Sequence, residues 1–240
     1  MPSCTLVIAC GALAREIAAH VRRNGWHAIE VQCLPAIWHN APERIPGGVR
    51  EKIRAARANG EYGRIFVAYA DCGTGGALDA VLEKVGVERL PGAHCYEFFA
   101  GAEEFAALHD AEPGTLYLTD YLARNFDRLI IRGLGIDRHP ELEPLYFGNY
   151  RRVVYLAQTE DEKLLGAARA AAARLGLAFE HRFTGYGGLA PFLDRAEHAS
   201  RSHETRALPE GRAAAEARAP AAGGFGALPH PATEDSPPAP

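Results

Sequence analysis

The chain has 240 residues, 48% of them hydrophobic and 23% charged, and a net charge of −4 at neutral pH. That is enough for one large domain or two small ones. The dispersed charge, with no basic block, excludes nucleic acid as an expected partner, and no run approaches the roughly 18 apolar residues that span a bilayer. Five cysteines, an odd number with no targeting signal, point to a reducing cytoplasm in which thiols are core residues, ligands or nucleophiles.

The opening MPSCTLVIACGALAREI lacks the basic stretch of a signal peptide and reads as a strand over 5–9 followed by a helix over about 12–24. HAIEVQCL is the second strand, and PERIPGGVREKIRAARANG supplies a helix expected to start after a Pro46-Gly47 turn. RIFVAYA (64–70) is the strongest strand, and a helix follows over about 76–85. VERL is a short fourth strand, and Cys95 to Leu108 reads as helical. GTLYLT (114–119) reads as a brief strand or an extended helix entry, and a helix capped by Asp120 or Thr119 runs to Leu134. RRVVYLAQ and LAFEHRF are later strands, with an alanine-rich helix over about 160–175 between them. The body ends near Arg195. Residues 196–240, rich in Ala, Pro and Gly, supply no core and are expected to be a disordered tail.

Strand–helix alternation with connections of this length implies right-handed parallel crossovers, hence an α/β fold with a mostly parallel sheet covered on both faces. One doubly wound domain and two α/β lobes both satisfy the pattern.

Three cysteines stand where a strand gives way to a turn or helix: Cys10, Cys72 and Cys95. In a parallel sheet such positions share the carboxyl edge, where open α/β folds place ligands. The expectation is therefore a three-thiol metal site, with an iron–sulfur cluster as the first choice and zinc as the competitor. Three protein ligands leave one position open, the arrangement of a catalytic rather than a structural centre. Cys10-Gly11 and Cys72-Gly73 repeat one device, in which a glycine turn delivers a thiol to a helix N-terminus. The competing reading is packing, since cysteine is also a small apolar residue common in cores. Cys4 falls at the opposite strand end and is assigned to structure. Cys33 is open to either role.

Asp71-Cys72-Gly73-Thr74-Gly75-Gly76 also has the glycine content of an anion cradle, with Gly11, Gly73, Thr74 and Gly75 as cofactor contacts. It matches neither common phosphate-loop pattern. Asp71, His39 and His94 are the expected acid–base residues around the open position, and Asn40 is a polar partner for His39. His139, beside Asp137 and Arg138, is a further histidine; each of the three histidines, taken alone, is more often a surface or hydrogen-bonded residue than a ligand. The segments 146–150 and 184–188, aromatic and punctuated by glycine, fit pocket walls or a lid, with inter-element packing as the plainer reading.

Together, CGALAREI, LPAIWHNAPERIP, YADCGTGGALD, HCYEFFAG, LGIDRHPEL and FGNYRRVVYLAQT resemble the bacterial and archaeal family catalogued as domain of unknown function 1638, over about residues 5–193. Its motif residues correspond to Cys10, His39, Asn40, Asp71, Cys72, Gly73, His94 and Cys95. The resemblance implies no settled activity. It implies a neighbourhood of corrinoid-dependent methyltransferase systems, and so an accessory place in one-carbon metabolism, acting on a small-molecule substrate or on the methyltransferase system itself. The chain has no cobalamin loop of the DxHxxG kind. The three-cysteine arrangement is similar to that of quinolinate synthase and the diphthamide-forming enzymes, which hold a cluster with cysteines from separate α/β units. A non-catalytic metal or corrinoid delivery protein and a metal-free Cys–His transferase or hydrolase are the alternatives.

Overall fold

The computed structural model describes residues 4–201; most of the expected tail lies outside them. Two separate parallel sheets form the framework, each flanked by helices. The first contains β1 (Cys4–Cys10), β2 (Ile29–Leu34), β3 (Tyr62–Ala68) and β4 (Glu88–Arg89), in the order β2-β1-β3-β4. Every pair is parallel, with Cys10 level with Leu34 and Ala9 level with Ala68.

Period-two alternation sends β1 side chains to opposite faces. Val7 and Ala9 pack with Leu13 and Ile17 from the α1 region (α1, Ala14–Arg23), while Leu6 and Ile8 pack with Val49 and Ile53 of α2 (Ile45–Asn59) and Leu78 and Leu82 of α3 (Ala77–Val85). Both faces are thus buried, and strand TLVIA reads as an unbroken apolar run for that reason. Helix α2 begins before Pro46, not after it. Proline is tolerated in a first turn, where its missing N–H has no partner to lose.

The segment expected to be helical from Cys95 forms two helices, α4 (Cys95–Ala100) and α5 (Ala102–Ala111), divided at Gly101 with φ +87°. The second sheet then forms from β5 (Thr115–Leu118), β6 (Arg152–Ala157) and β7 (Ala178–Phe183), in that order and all parallel. The later βαβ piece therefore builds a second lobe. Its sheet packs on one face against α6 (Asp120–Phe126), α7 (Glu143–Phe147) and α8 (Glu162–Arg174), and on the other against α4 and α5.

Thr119 caps α6 by accepting from the Leu122 N–H. Asp120, 1% exposed, accepts from the Tyr155 hydroxyl at 2.7 Å, the Gln158 N–H at 2.9 Å and the Thr159 hydroxyl at 2.5 Å. It ties the carboxyl ends of β5 and β6 together. The helix expected to reach Leu134 kinks at Asn125 and widens into a π-type turn over Asp127–Ile131.

The chain finally returns to the first sheet through α9 (Leu189–Arg201). Leu189, Phe192, Leu193 and Ala196 of α9 pack on the β1–β3 face. The body thus continues past Arg195. The segment 184–188 is packing, not a lid: a Cβ at Gly187 would lie 2.4 Å from the Phe98 and Phe99 carbonyl oxygens, and the Gly188 N–H donates to Phe98 at 2.6 Å.

Candidate functional site

The strand order reverses between β1 and β3, since the chain leaves β1 toward β2 on one side and enters β3 on the other. The crevice outside the carboxyl ends of those strands is where open α/β sheets bind ligands. Cys10 ends β1, and Tyr69 to Cys72 follow β3. A cavity of about 50 Å³ opens there, lined by Cys10, Tyr69, Cys72, Cys95, Tyr96 and His39 among others. That volume is several times what one water needs. The far wall comes from the second lobe: Thr119, Tyr121, Leu122, Leu129 and Ile130. The last two sit on the π-type turn, a distortion that recurs at functional positions.

Each thiol is placed by its own local device. The Cys10 sulfur accepts from the Ala12 N–H at 3.5 Å and caps a short 3-10 turn. Gly11 lets that turn approach β2, since a Cβ there would lie 3.0 Å from the Leu34 carbonyl oxygen. Cys72 has φ +51°, the only described residue other than glycine in the left-handed region. Such a conformation costs a side-chain-bearing residue about 1–2 kcal/mol, and strain of this kind concentrates at functional positions. The loop is held to the next one by Asp71 and Cys72 N–H bonds to the Gly92 and Ala93 carbonyls, at 3.0 and 2.8 Å. Cys95 opens α4.

The three thiols interact electrostatically. Burial raises the Cys10 pKa. Burial, then the neighbouring Cys10, pushes Cys72 up to about 12. Burial, Cys72 and Cys10 raise Cys95 well above its ordinary value. As free thiols all three are therefore protonated at neutral pH. Cys95 and Tyr96 lie deep in the protein yet keep accessible surface, because that surface faces the cavity. Among the described residues, no three His, Cys, Asp or Glu side chains are grouped as a single metal ion requires.

Cys4 lies at the other end of β1, its thiol donating to Ala28 at 3.2 Å. Cys33 is exposed and does not line the cavity, although it is near enough to Cys10 to interact with it.

His39 is on the cavity wall and Asn40 beside it. His39 is exposed, yet the surrounding protein desolvates its ring and, with neighbouring His94, lowers its pKa. His94 sits outside the lining. Its Nδ1 is buried without a partner, and desolvation lowers its pKa against the opposing pull of Asp71 and Glu97. His139 is exposed and bonded to Glu141 at 3.1 Å, away from the cavity.

The glycine loop carries its own anion. The Asp71 carboxylate accepts from the Thr74 hydroxyl at 2.6 Å, the Gly75 N–H at 3.1 Å and the Gly76 N–H at 2.9 Å. The N–H groups of Gly75 and Gly76, which would greet a phosphate, are thereby engaged. Gly73, at φ +82°, lies against Pro42. Thr74 also accepts from the Leu78 N–H as the helix starts. Asp79 pairs with Arg89 at 2.5 Å.

Sequence reasoning missed Tyr69, Tyr96 and the whole second-lobe wall. Tyr69 is 2% exposed, and its hydroxyl lies beside the Cys10 sulfur, within hydrogen-bonding reach of it. Burial and the adjacent Cys10 thiol raise its pKa. Its only sequence signal is its place two residues before Asp71 in the YADCGTGG run.

No curated protein and no solved structure matches the chain. A family match begins at Cys33, so β1 and Cys10 precede the matched span, which is shorter at its start than the resemblance implied. With residues 33–193 matched, the chain belongs to the family described as protein of unknown function (DUF1638).

Proposed function

We propose that the chain binds a metal centre, an iron–sulfur cluster before zinc, through Cys10, Cys72 and Cys95 at the cavity between the two lobes. The observation that carries this reading is the convergence of three partly buried thiols from three separate chain segments on one cavity at the topological switch point. Thiolate is a soft donor suited to zinc and iron–sulfur centres. A bound metal also reverses the burial cost that keeps these thiols protonated, since binding releases their protons. Cys72, kept in a backbone conformation that glycine would adopt more easily, supports a use for its sulfur. An iron–sulfur cluster suits thiolates from separate chain segments, because each binds a different iron. Such a centre supplies one iron without a protein thiolate, for Lewis-acid or redox contact. His39, neutral and on the same wall, is the group placed to accept or return a proton there.

A metal-free Cys–His nucleophile fits less well, because burial disfavours the thiolate it needs. As the family resemblance implies, the reading extends to a small-molecule substrate or a corrinoid methyltransferase system in the cytoplasm, with delivery rather than turnover as the alternative role.

Anaerobic purification followed by iron, sulfide and zinc analysis and an absorption spectrum tests the proposal. Alanine at Cys10, Cys72 or Cys95 is expected to abolish stoichiometric metal, and alanine at Cys4 or Cys33 to leave it. Metal content insensitive to all three sinks the reading.

A further inference from the structure

Four strands stand at sheet edges: β2, β4, β5 and β7. An open edge offers a row of unpaired N–H and C=O groups to any second strand, and proteins ordinarily blunt it with proline, charge, a bulge or a covering helix. β4 has only two residues, β5 is largely buried, and the one charge on β2 is Glu30. β7 differs. Four of its six residues, Ala178, His181, Arg182 and Phe183, are exposed, and Phe183 keeps 57% of its surface in solvent. The strand contains no proline, and its register with β6 runs unbroken from Ala178 to Phe183. Its two charges, Glu180 and Arg182, are of opposite sign and so do not repel a second copy of the same strand.

The bonds on the inner side fix which groups face outward. The Ala178 and Thr184 N–H groups donate to the carbonyls of Arg151, just before β6, and Ala157, at its end, at 3.1 and 2.9 Å. In a parallel strand the hydrogen-bonding groups of successive residues turn to alternate sides. Even-numbered residues of β7 therefore face β6, and Phe179, His181 and Phe183 turn their N–H and C=O groups to the open edge. Among the described residues, no other element's backbone bonds to these three. Side chains alternate as well. Glu180 and Arg182 share one face, where Glu180 pairs with Arg152 at 2.8 Å and with Arg182 at 2.7 Å. Phe179, His181 and Phe183 share the other, with the His181 ring stacked on Tyr155.

An antiparallel pairing of β7 with itself, centred on His181, satisfies both patterns. It sets Phe179 opposite Phe183, and His181 opposite itself, as pairs joined by backbone bonds. Glu180 then lies opposite Arg182 of the other copy, twice by symmetry. Those are the non-hydrogen-bonded pairs, in which facing side chains come closest. Moving the two-fold axis to residue 180 or 182 would set Glu180 against Glu180, or Arg182 against Arg182, and like charges directly opposite are destabilising. Backbone and charge thus select one register.

We infer that β7 is a homodimer interface: two copies of this chain join edge to edge, antiparallel about a two-fold axis at His181, so that their second-lobe sheets form one continuous six-stranded sheet. The interface is separate from the thiol cavity, whose lining includes no residue of β7, and does not depend on a metal.

Sedimentation equilibrium of the full-length protein over a concentration series tests this, with a monomer–dimer equilibrium as the expected result. Arg182→Glu sets two pairs of carboxylates against each other and should weaken the dimer about tenfold or more. Adding Glu180→Gln to that variant relieves the clash and keeps an amide beside Arg152. It should recover part of the lost affinity, which simple damage to the strand would not. His181→Pro deletes the N–H at the axis, a group with no partner on β6, so the change is of the kind an edge strand tolerates. It should abolish the dimer and leave a folded monomer, and the Arg182 variants decide the matter if it does not fold. In hydrogen exchange, the Phe179, His181 and Phe183 amides should gain protection as concentration rises, while those of Glu180 and Arg182 are protected throughout. A monomer across the whole series, a dimer indifferent to Arg182→Glu, or no recovery on adding Glu180→Gln overturns the inference. So do outward amides protected equally at every concentration, because another segment of the same chain would then cover the edge.

Discussion

Replacing Asp71 by alanine removes the acceptor for three donors at once: the Thr74 hydroxyl and the Gly75 and Gly76 N–H groups. The bonds to the two glycines are solvent-exposed, so each is taken at the ordinary net value of about 1 kcal/mol, for a total loss of about 2–3 kcal/mol. In a chain of this size that corresponds to roughly 5–10 °C in melting temperature. Asp71→Asn keeps one acceptor oxygen and should lose about half as much. The pH dependence carries a sign. Burial pushes the Asp71 pKa up, but the Thr74 hydroxyl, the Gly76 and Gly75 N–H groups and Arg89 outweigh it and hold the carboxyl below its ordinary 3.8. A depressed folded-state pKa contributes stability that is complete above the unfolded value and is lost as pH falls through the folded one. The gap between parent and Asp71→Ala should therefore be flat from about pH 5 to 8 and shrink below about pH 4. Urea unfolding at several pH values measures it. A gap under about 0.5 kcal/mol at neutral pH, or one that widens on acidification, would refute the view that Asp71 holds the Cys72 turn.

Two backbone predictions follow from the same geometry. At Cys72, glycine should be more stable than alanine by about 1 kcal/mol, the reverse of the usual order, because the position lies at φ +51°; equal denaturation midpoints for Cys72→Gly and Cys72→Ala would show that the turn relaxes freely. At Gly187, alanine should cost about 2–3 kcal/mol, since its Cβ would meet the Phe98 and Phe99 carbonyl oxygens in a left-handed backbone. Thermal unfolding checks this, and an unchanged transition would mean that the start of α9 is not pinned to α4.

Strand-forming runs such as TLVIA and RVVYLA determined their own structure, because a short β-branched and apolar segment bounded by turn residues has few alternatives. The Cys-Gly turns were legible for a similar reason: a thiol at the end of a buried strand must emerge at the sheet's carboxyl edge. Local chemistry also put Cys4 at the opposite end of β1 from Cys10. Length and alternation settled the α/β class, but not whether β5 to β7 extend the first sheet. That depended on which strands pair, a choice made by packing across the whole chain. Helix α9 escaped notice because its apolar face has meaning only against β1 and β3, far away in sequence. The candidate site divides along the same line. Its three thiols could be read from the chain, whereas the Tyr69 hydroxyl beside Cys10 and the wall of Thr119, Tyr121, Leu129 and Ile130 could not. Whether a hydroxyl finds a partner, and which lobe closes a cavity, are properties of surfaces brought together by folding, and no local pattern encodes them.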